Sequence, residues 1–208
     1  MDYKFENGVF LARMQPYHIA HQFLIEEALR ECRNVLVVLG SANKKDMLRN
    51  PFDLSYREEI VKEDLAERGW VDTGRVTLCE IPDWSFENDT NTPAVWGAYL
   101  YANVVARIQA KKFAIYYSDD LSIIRSWFKT SLSGFEVYDN VTIRHYERTN
   151  MFEGLSVTKI REAILASDDA AAEYLSKFCP PAVIRRLDFI RNHYSEVYEN
   201  PYADFSMN

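Results

Sequence analysis

Two histidines, His18 and His21, stand three residues apart in the stretch Arg13-Met14-Gln15-Pro16-Tyr17-His18-Ile19-Ala20-His21, where an apolar run gives way to a helical pattern. At a helix start that spacing puts both imidazoles on one side. The same helix end offers free backbone N–H groups and a positive dipole, which suit a phosphate. A plainer role fits as well: two helix-end imidazoles hydrogen-bonded to nearby backbone. Zinc is a weak alternative, because no third His or Cys lies at metal-site spacing. A second group, Leu155-Ser156-Val157-Thr158-Lys159-Ile160-Arg161, opens a later helical pattern. Ser156 or Thr158 can simply cap that helix, with Lys159 and Arg161 solvated. Yet cations are misplaced at a positive helix end unless an anion arrives. Arg161 brings a planar, permanently charged fork, and two hydroxyls with two cations on one turn make a polyphosphate cradle. No Ser-His-Asp or Cys-His arrangement accompanies these groups. His145, on a strand, and His193, in a late helix, read as structural, and Asp119 and Asp120 as helix caps.

The elements that must position these residues alternate in type. Gly8–Ala12, Asn34–Gly40, Val76–Ile81, Lys112–Ser118 and Val141–Tyr146 read as short buried strands. Between them lie helical patterns at Ile19–Arg33, with Ile19, Phe23, Ala28 and Leu29 near one face, and at Leu54–Glu67, where Ser55 and Glu58 have capping-box spacing. Others span Ala94–Gln109 and a short stretch through Phe128, and one begins near Thr158. Helices of this length between strands imply parallel pairing with right-handed crossovers: a doubly wound, Rossmann-like α/β sheet with its ligand at the carboxyl ends of the strands. After Ser167 the pattern is helical only, over Asp168–Phe178 and Ala182–His193, behind a Pro180-Pro181 start. Residues 1–166 are thus expected to form the α/β domain, and residues 167–208 a small helical C-terminal region packed on it, with a frayed tail.

Composition narrows the partners. The 208 residues carry 24 Lys plus Arg against 31 Asp plus Glu, a net charge of −7. A nucleic-acid backbone needs a broad basic face, so nucleic acid is not the expected partner, whereas locally focused positive charge can still hold a phosphate ligand. Cys32, Cys79 and Cys179 are odd in number and form no C-x-x-C pair, which suits a reducing compartment. The start MDYKFENG is acidic where a signal peptide would be basic and then apolar, and no apolar run has the length of a membrane span. A cytoplasmic protein is expected, without membrane contact, and a homo-oligomer is compatible with this reading.

Together, R-x-Q-P-[FY]-H-x-x-H after the first strand and [IL]-S-x-T-x-[IL]-R late in the chain resemble the nucleotidylyltransferase superfamily. Within it the likeness is to nicotinamide mononucleotide (NMN) adenylyltransferases of the archaeal type and the similar domain of Nudix-fused enzymes. Gly40-Ser41-Ala42 with Arg49-Asn50-Pro51-Phe52 and Arg57 is similar to the family's G-S-A…R-[ND]-P-F-x-x-x-E-R segment. Ile81-Pro82-Asp83 with Ala94-Val95-Trp96 resembles its substrate loop, and Tyr117-Ser118 and Pro180-Pro181 also fit. The likeness runs from about residue 8 to 190, and no Nudix domain is expected after it. Three features depart from the pattern. Ala12 and Ala20 stand where the family usually has Gly, Tyr56 replaces the Glu of its E-R pair, and the loop between Asp83 and Trp96 is longer than usual.

The resemblance implies transfer of the adenylyl group of ATP to the 5′-phosphate of NMN, giving NAD and pyrophosphate without a covalent enzyme intermediate. It implies that His18, His21, Arg49 and Arg161 are catalytic and that Arg13, Gln15, His18, His21, Ser156, Thr158 and Arg161 bind ATP. Asp83 and Trp96 would hold the NMN, with Trp84 in the same loop, and Trp96 rather than Trp84 would stack on the pyridine ring. Core packing is the plainer role for Trp96, and Lys44 and Lys45 are either solvated or drawn to the phosphates. Magnesium would be held by the ATP phosphates, with no metal site of the protein's own. Other acceptors on the same fold are nicotinate mononucleotide, phosphopantetheine or an alcohol phosphate. An inactive nucleotide sensor is the reading that Ala12 and Ala20 would suit.

Overall fold

The computed structural model describes residues 2–83, 93–129, 138–147 and 151–199. Five strands form one parallel sheet in the order β3-β2-β1-β4-β5: β1 Phe5–Ala12, β2 Cys32–Leu39, β3 Val76–Glu80, β4 Phe113–Tyr117 and β5 Val141–His145. The order reverses between β1 and β4, so the crevice at their carboxyl ends is the natural ligand position in a doubly wound sheet. Alternation sorts the strand side chains onto two faces. Phe10, Val35, Val37 and Leu39 pack beneath helices α1 Ile19–Glu31 and α2 Leu54–Glu67. On the other face Val9, Leu36, Val38 and Ile115 meet α3 Pro93–Ile108 and α4 Leu121–Trp127.

The C-terminal helices close the first of these faces. They are α5 Val157–Ala166, α6 Asp169–Phe178, α7 Pro181–Ile184 and α8 Leu187–Glu199. Their Ile160, Leu175, Phe178, Ile190 and Tyr194 are buried in the same cluster as Phe10 and Val37. The single helix expected over Ala182–His193 is therefore two helices, with a break at Arg185–Arg186 where both guanidinium groups reach back to α2.

Local departures from the sequence reading have clear causes. β1 begins at Phe5 because its pairing with β2 starts there, Phe5 opposite Cys32. α1 stops at Glu31, since Cys32 is already extended and starts β2 without a loop. In α1 the core face is Leu24, Ile25, Ala28 and Leu29. Ile19 and Phe23 are only partly buried, and Phe23 packs its edge on Tyr146 and Phe152 at the rim. The cap of α2 is Asp53, not Ser55: its carboxylate accepts the Tyr56 N–H and the Ser55 hydroxyl, each at 2.9 Å. A carboxylate suits a positive helix end better than a hydroxyl, and the Tyr56 N–H holds the Asp53 carboxyl below its usual range.

Docking of the C-terminal region on α2 is electrostatic at its rim. Glu63 receives Arg185 Nε at 3.0 Å and a further contact from Arg186, and Arg185 also pairs with Glu67. The Arg186 and Arg185 hydrogen bonds pull the Glu63 carboxyl from 4.5 down to about 2. A carboxyl depressed in the folded state contributes stability above its unfolded value and loses it as pH falls through the folded one. Urea unfolding should therefore show Glu63→Gln less stable than the parent at about pH 6, with the gap closing between about pH 4.5 and pH 2. An equal gap at both ends of that range would show that the pairing does not stabilise the docking.

Candidate active site

At the switch point between β1 and β4 the carboxyl ends of the strands open into a cavity of about 430 Å³. Its base is Ala12 and Arg13 from β1 and the loop after it, with Tyr117 and Ser118 from β4. His18 and His21 form one wall, Asp83, Trp96 and Trp127 the other, and Arg161 and Asp119 stand at the mouth.

His18 is the N-cap of α1 and is buried, with 3% of its surface exposed. Its ring stacks on that of His21 at 3.7 Å between centroids, and its backbone N–H donates to His21 Nδ1 at 3.2 Å. The His21 ring thus accepts a backbone N–H at the helix start, and both imidazoles line the cavity. Tyr17 stacks on His21 from the other side at 5.6 Å. The Tyr17 hydroxyl donates to buried Asp64 of α2 at 3.0 Å, and the Gln22 amide donates to the same carboxylate at 2.5 Å. Burial and the adjacent Asp64 hold the Tyr17 hydroxyl well above its usual pKa, so it stays protonated as a donor. Through Asp64, α2 fixes the angle at which α1 presents its histidines.

Positive charge converges opposite them. Arg161 Nη2 donates to the Gln15 carbonyl at 2.9 Å and to the Arg49 carbonyl at 3.4 Å, strapping α5 across both loops. Arg13 is exposed by area, yet desolvation by the cavity walls and the charges of Arg161 and Arg49 lower its pKa, against the opposing pull of Asp83 and Asp119. Three mutually repelling guanidinium groups are an arrangement that a polyanion stabilises.

Other expected site residues fall elsewhere. Gln15 is buried with its amide clamped to the backbone of Phe52, donating to the carbonyl at 3.1 Å and accepting the N–H at 2.9 Å. It shapes the wall by backbone rather than offering its amide to a ligand. Ser156 caps α5, accepting the Lys159 N–H at 3.4 Å, and Thr158 is exposed; neither lines the cavity. The helix-end geometry that favours a hydroxyl at Ser156 is that of a cap. Arg49 is exposed beside the cavity rather than in its lining. Ala20 is buried in α1 and Ala12 lines the cavity, so only the second adds a methyl to the ligand space.

On the other wall Asp83 is held from three sides: Ser41 Oγ donates at 3.2 Å, Lys44 Nζ lies at 2.9 Å, and the Asn43 side chain accepts the Asp83 N–H at 2.8 Å. Lys44 is therefore an Asp83 partner, while Lys45 is exposed near Asp46. Trp96 meets the edge of Trp127 at 6.4 Å, and Trp127 meets Tyr117 at 5.7 Å. Trp84 lies outside the described residues. Trp127 escaped the sequence reading, although a signal was present in Gly97, a lone glycine inside a helix. A Cβ there would sit 1.6 Å from the Trp127 carbonyl oxygen, so α3 and α4 touch backbone to backbone at this point.

In the sequence Arg57 is one member of a motif; its contacts in the fold give it a role. Its side chain is fully buried and donates to the carbonyls of Arg13 and Gly40, both at 2.8 Å, and of Ser41 and Asp53, both at 3.2 Å. Burial lowers its pKa to about 10, leaving it cationic at neutral pH. Met14 and Ser41, at the ends of β1 and β2, both adopt left-handed backbone, with φ of 55° and 50°. Such residues persist where the surroundings over-determine them, and Arg57 supplies that constraint.

Among the described residues no three His, Cys, Asp or Glu side chains gather to hold a metal ion. The three cysteines are free, and no described helix is long and apolar enough to cross a membrane.

Fold and site define a doubly wound α/β protein with an arginine-rich cavity at the switch point of its parallel sheet. The chain belongs to the cytidylyltransferase-like family, which matches residues 9–200. It is 29% identical to the nicotinamide-nucleotide adenylyltransferase of Pyrobaculum aerophilum over 174 residues, which cover 83% of this chain and 84% of that protein. To the enzyme of the same name from Thermococcus sibiricus it is 33% identical over 97 residues, covering 47% of this chain and about half, 48%, of that one. In structure it resembles a bifunctional NMN adenylyltransferase/ADP-ribose pyrophosphatase from Francisella tularensis, complexed with AMP and a manganese ion. That match has a TM-score of 0.69 at 20% identity, covering 95% of this chain and 53% of the other.

Two substitutions test the supports of the site. Arg57→Met leaves buried carbonyls without donors and should lower unfolding free energy by about 3 kcal/mol or more in urea; an unchanged midpoint would show that the guanidinium is dispensable. Gly97→Ala drives a methyl into the Trp127 backbone. We expect about 2–3 kcal/mol of destabilisation and a shift in tryptophan fluorescence, and an unaltered spectrum would place the two indoles apart.

Proposed function

We propose that this protein is an NMN adenylyltransferase of the archaeal type: it transfers the adenylyl group of ATP to the 5′-phosphate of NMN, forming NAD and pyrophosphate. The observation that carries the reading is the convergence of Arg13, Arg49 and Arg161 on a cavity whose other walls are a histidine pair and a tryptophan corner. A cationic phosphate end and an aromatic end match the two halves of that reaction. The name borne by the Pyrobaculum and Thermococcus relatives agrees with it, and the likeness to the Francisella enzyme extends to its fold alone.

In this mechanism a phosphate oxygen of NMN attacks the α-phosphorus of ATP, forming the new P–O bond. The bond to the β-phosphate oxygen breaks, and pyrophosphate leaves with its electron pair. No side chain becomes covalently attached, so the protein's contribution is positioning and charge stabilisation. His18 and His21 face the transferring phosphate, Arg161 with Arg49 holds the β- and γ-phosphates, and Arg13 offsets charge beside the reacting centre. Trp96 stacks on the cationic pyridine ring with Trp127 closing the corner, and Asp83, fixed by Ser41 and Lys44, receives the ribotide. Magnesium fits as an ion carried by the polyphosphate, since the carboxylates lining the cavity are Asp83, already bound to Lys44, and Asp119 at the mouth; bound there, it would neutralise phosphate charge. The helices after Ala166 serve as an extension of this one catalytic domain, and the reaction is assigned to the cytoplasm.

The deciding experiment measures pyrophosphate release with ATP, Mg²⁺ and a panel of acceptors: NMN, nicotinate mononucleotide and phosphopantetheine, with CTP as the donor control. Turnover with NMN and ATP is expected, and silence with every pyridine mononucleotide would overturn the reading. His18→Ala should lower kcat by roughly 10²–10³-fold, because the donor it removes acts mainly on the transition state. Trp96→Ala should instead raise the KM for NMN about ten-fold with that for ATP nearly unchanged, as expected for loss of stacking on a cation. A rise in the ATP KM alone would assign Trp96 to the wrong substrate.

A further inference from the structure

The last helix, α8, touches the phosphate side of the site at two successive residues. His193 Nε2 lies 2.7 Å from the Pro51 carbonyl, and its ring stacks on Phe52 at 5.3 Å. Pro51 and Phe52 follow Arg49 and Asn50 directly, and Phe52 is the residue whose backbone clamps Gln15. Tyr194 is fully buried, with its ring edge against Phe52 at 5.0 Å. Its hydroxyl lies beside the Arg161 guanidinium, whose positive charge and a hydrogen bond of poor geometry both oppose the upward push of burial on the phenol.

That hydroxyl is not needed for packing. Tyr194 Oη and Arg161 Nε are both buried, and neither makes a well-formed hydrogen bond. A buried hydroxyl without a well-formed hydrogen bond costs free energy that Phe at position 194 would avoid. A buried polar group left half-satisfied next to a charged one points to a role in orienting it. His193 acts on the same loop from the neighbouring position, donating to a carbonyl two residues after Arg49.

We propose that His193 and Tyr194 are positioning residues for ATP. Tyr194 sets the tilt of the Arg161 fork, and His193 fixes the Arg49–Phe52 loop, so that affinity for the polyphosphate is set from the C-terminal helix. The inference rests on the reading of Arg161 and Arg49 as polyphosphate ligands. It makes α8 part of the nucleotide site although no α8 side chain lines the cavity.

The test uses the full chain and measures the Kd for Mg-ATP by calorimetry, KM for ATP and for NMN, and the thermal midpoint. Tyr194→Phe keeps the ring and removes the hydroxyl. We expect the ATP Kd and KM to rise about five-fold, the NMN KM to stay put and the thermal midpoint not to fall. His193→Ala should raise the ATP Kd by a similar factor, and His193→Gln, whose amide can still donate to the Pro51 carbonyl, should restore it. An ATP Kd within about two-fold of the parent for both Tyr194→Phe and His193→Ala would overturn the proposal. So would a joint rise in both KM values with a lowered thermal midpoint, the mark of a merely structural role. Because ATP binding is measured without NMN, failure to turn over NMN would sink the proposed reaction and leave this inference to be judged by the Kd values.

Discussion

The buried guanidinium of Arg57 is the constraint on which the rest of the site depends. Parallel strands end with their carbonyls pointing into the crevice, and two of the residues that follow, Met14 and Ser41, turn in left-handed backbone. Left alone, such turns relax. Arg57 gathers the carbonyls of Arg13, Gly40 and Ser41 onto one rigid fork and ties them to Asp53 at the head of α2. Its planarity matters here, because a lysine ammonium could not reach carbonyls on two strands at fixed angles. The charge is accepted in the core because every contact is to a carbonyl dipole, with Asp53 and Asp83 favouring the cation from further out. Arg13 and Ser41, and through Ser41 the carboxylate of Asp83, are consequences of that placement.

A chain with a net charge of −7 nevertheless concentrates arginines at one cavity. The acidic groups are used elsewhere: Glu31 receives Arg144 through two hydrogen bonds under the sheet edge, and Glu63 binds the break between α7 and α8. Both join elements that are distant in sequence. Pairing the remaining cations internally would cancel the field that draws in a phosphate. Leaving Arg13, Arg49 and Arg161 near one another, with Asp83 and Asp119 opposing at Arg13, keeps the field focused where the strands end.

How far this was legible in the sequence follows from the range of each interaction. Strands such as Asn34–Gly40 declare themselves by β-branched runs, and helices such as Leu54–Glu67 by their period and length, so the doubly wound sheet could be read directly. His18, His21 and Arg161 could be read because each sits beside a local signal, a strand end or a helix start. Gln15 could not be placed correctly, because its partner is the Phe52 backbone 37 residues away. Ser156 carried two readings that only packing separates, and the structure takes the cap. Arg57, Trp127 and Tyr194 act through contacts across the fold; a motif marks Arg57 without giving its partners, and nothing in their immediate neighbours marks the other two. Gly97 is the exception: a glycine where a helix prefers alanine reports a close approach, and the approach is the one that brings Trp127 to the cavity.

The two walls are built by different physics, and this divides their tolerance to change. The phosphate wall is a hydrogen-bonded lattice in which Arg57, Gln15, Arg161 and Asp64 each tie together backbone or side chains from separate elements. Altering one member disturbs several loops, and the geometry that the proposed in-line transfer requires is lost with them. The acceptor wall, by contrast, is aromatic: Trp96, Trp127 and Tyr117 meet edge to face on the cluster shared by α3 and α4, with backbone contact at Gly97. Aromatic contacts are weakly directional compared with a guanidinium fork, so this corner can be reshaped by side-chain replacement while the strand ends stay fixed. On the proposed function, selectivity for the acceptor can therefore drift in the α3–α4 corner without cost to phosphate handling. The converse does not hold, because α2 and α8 act on the cavity through the loops that Arg57 and Arg161 bind together, and α5 lines it directly with Val157 and Arg161.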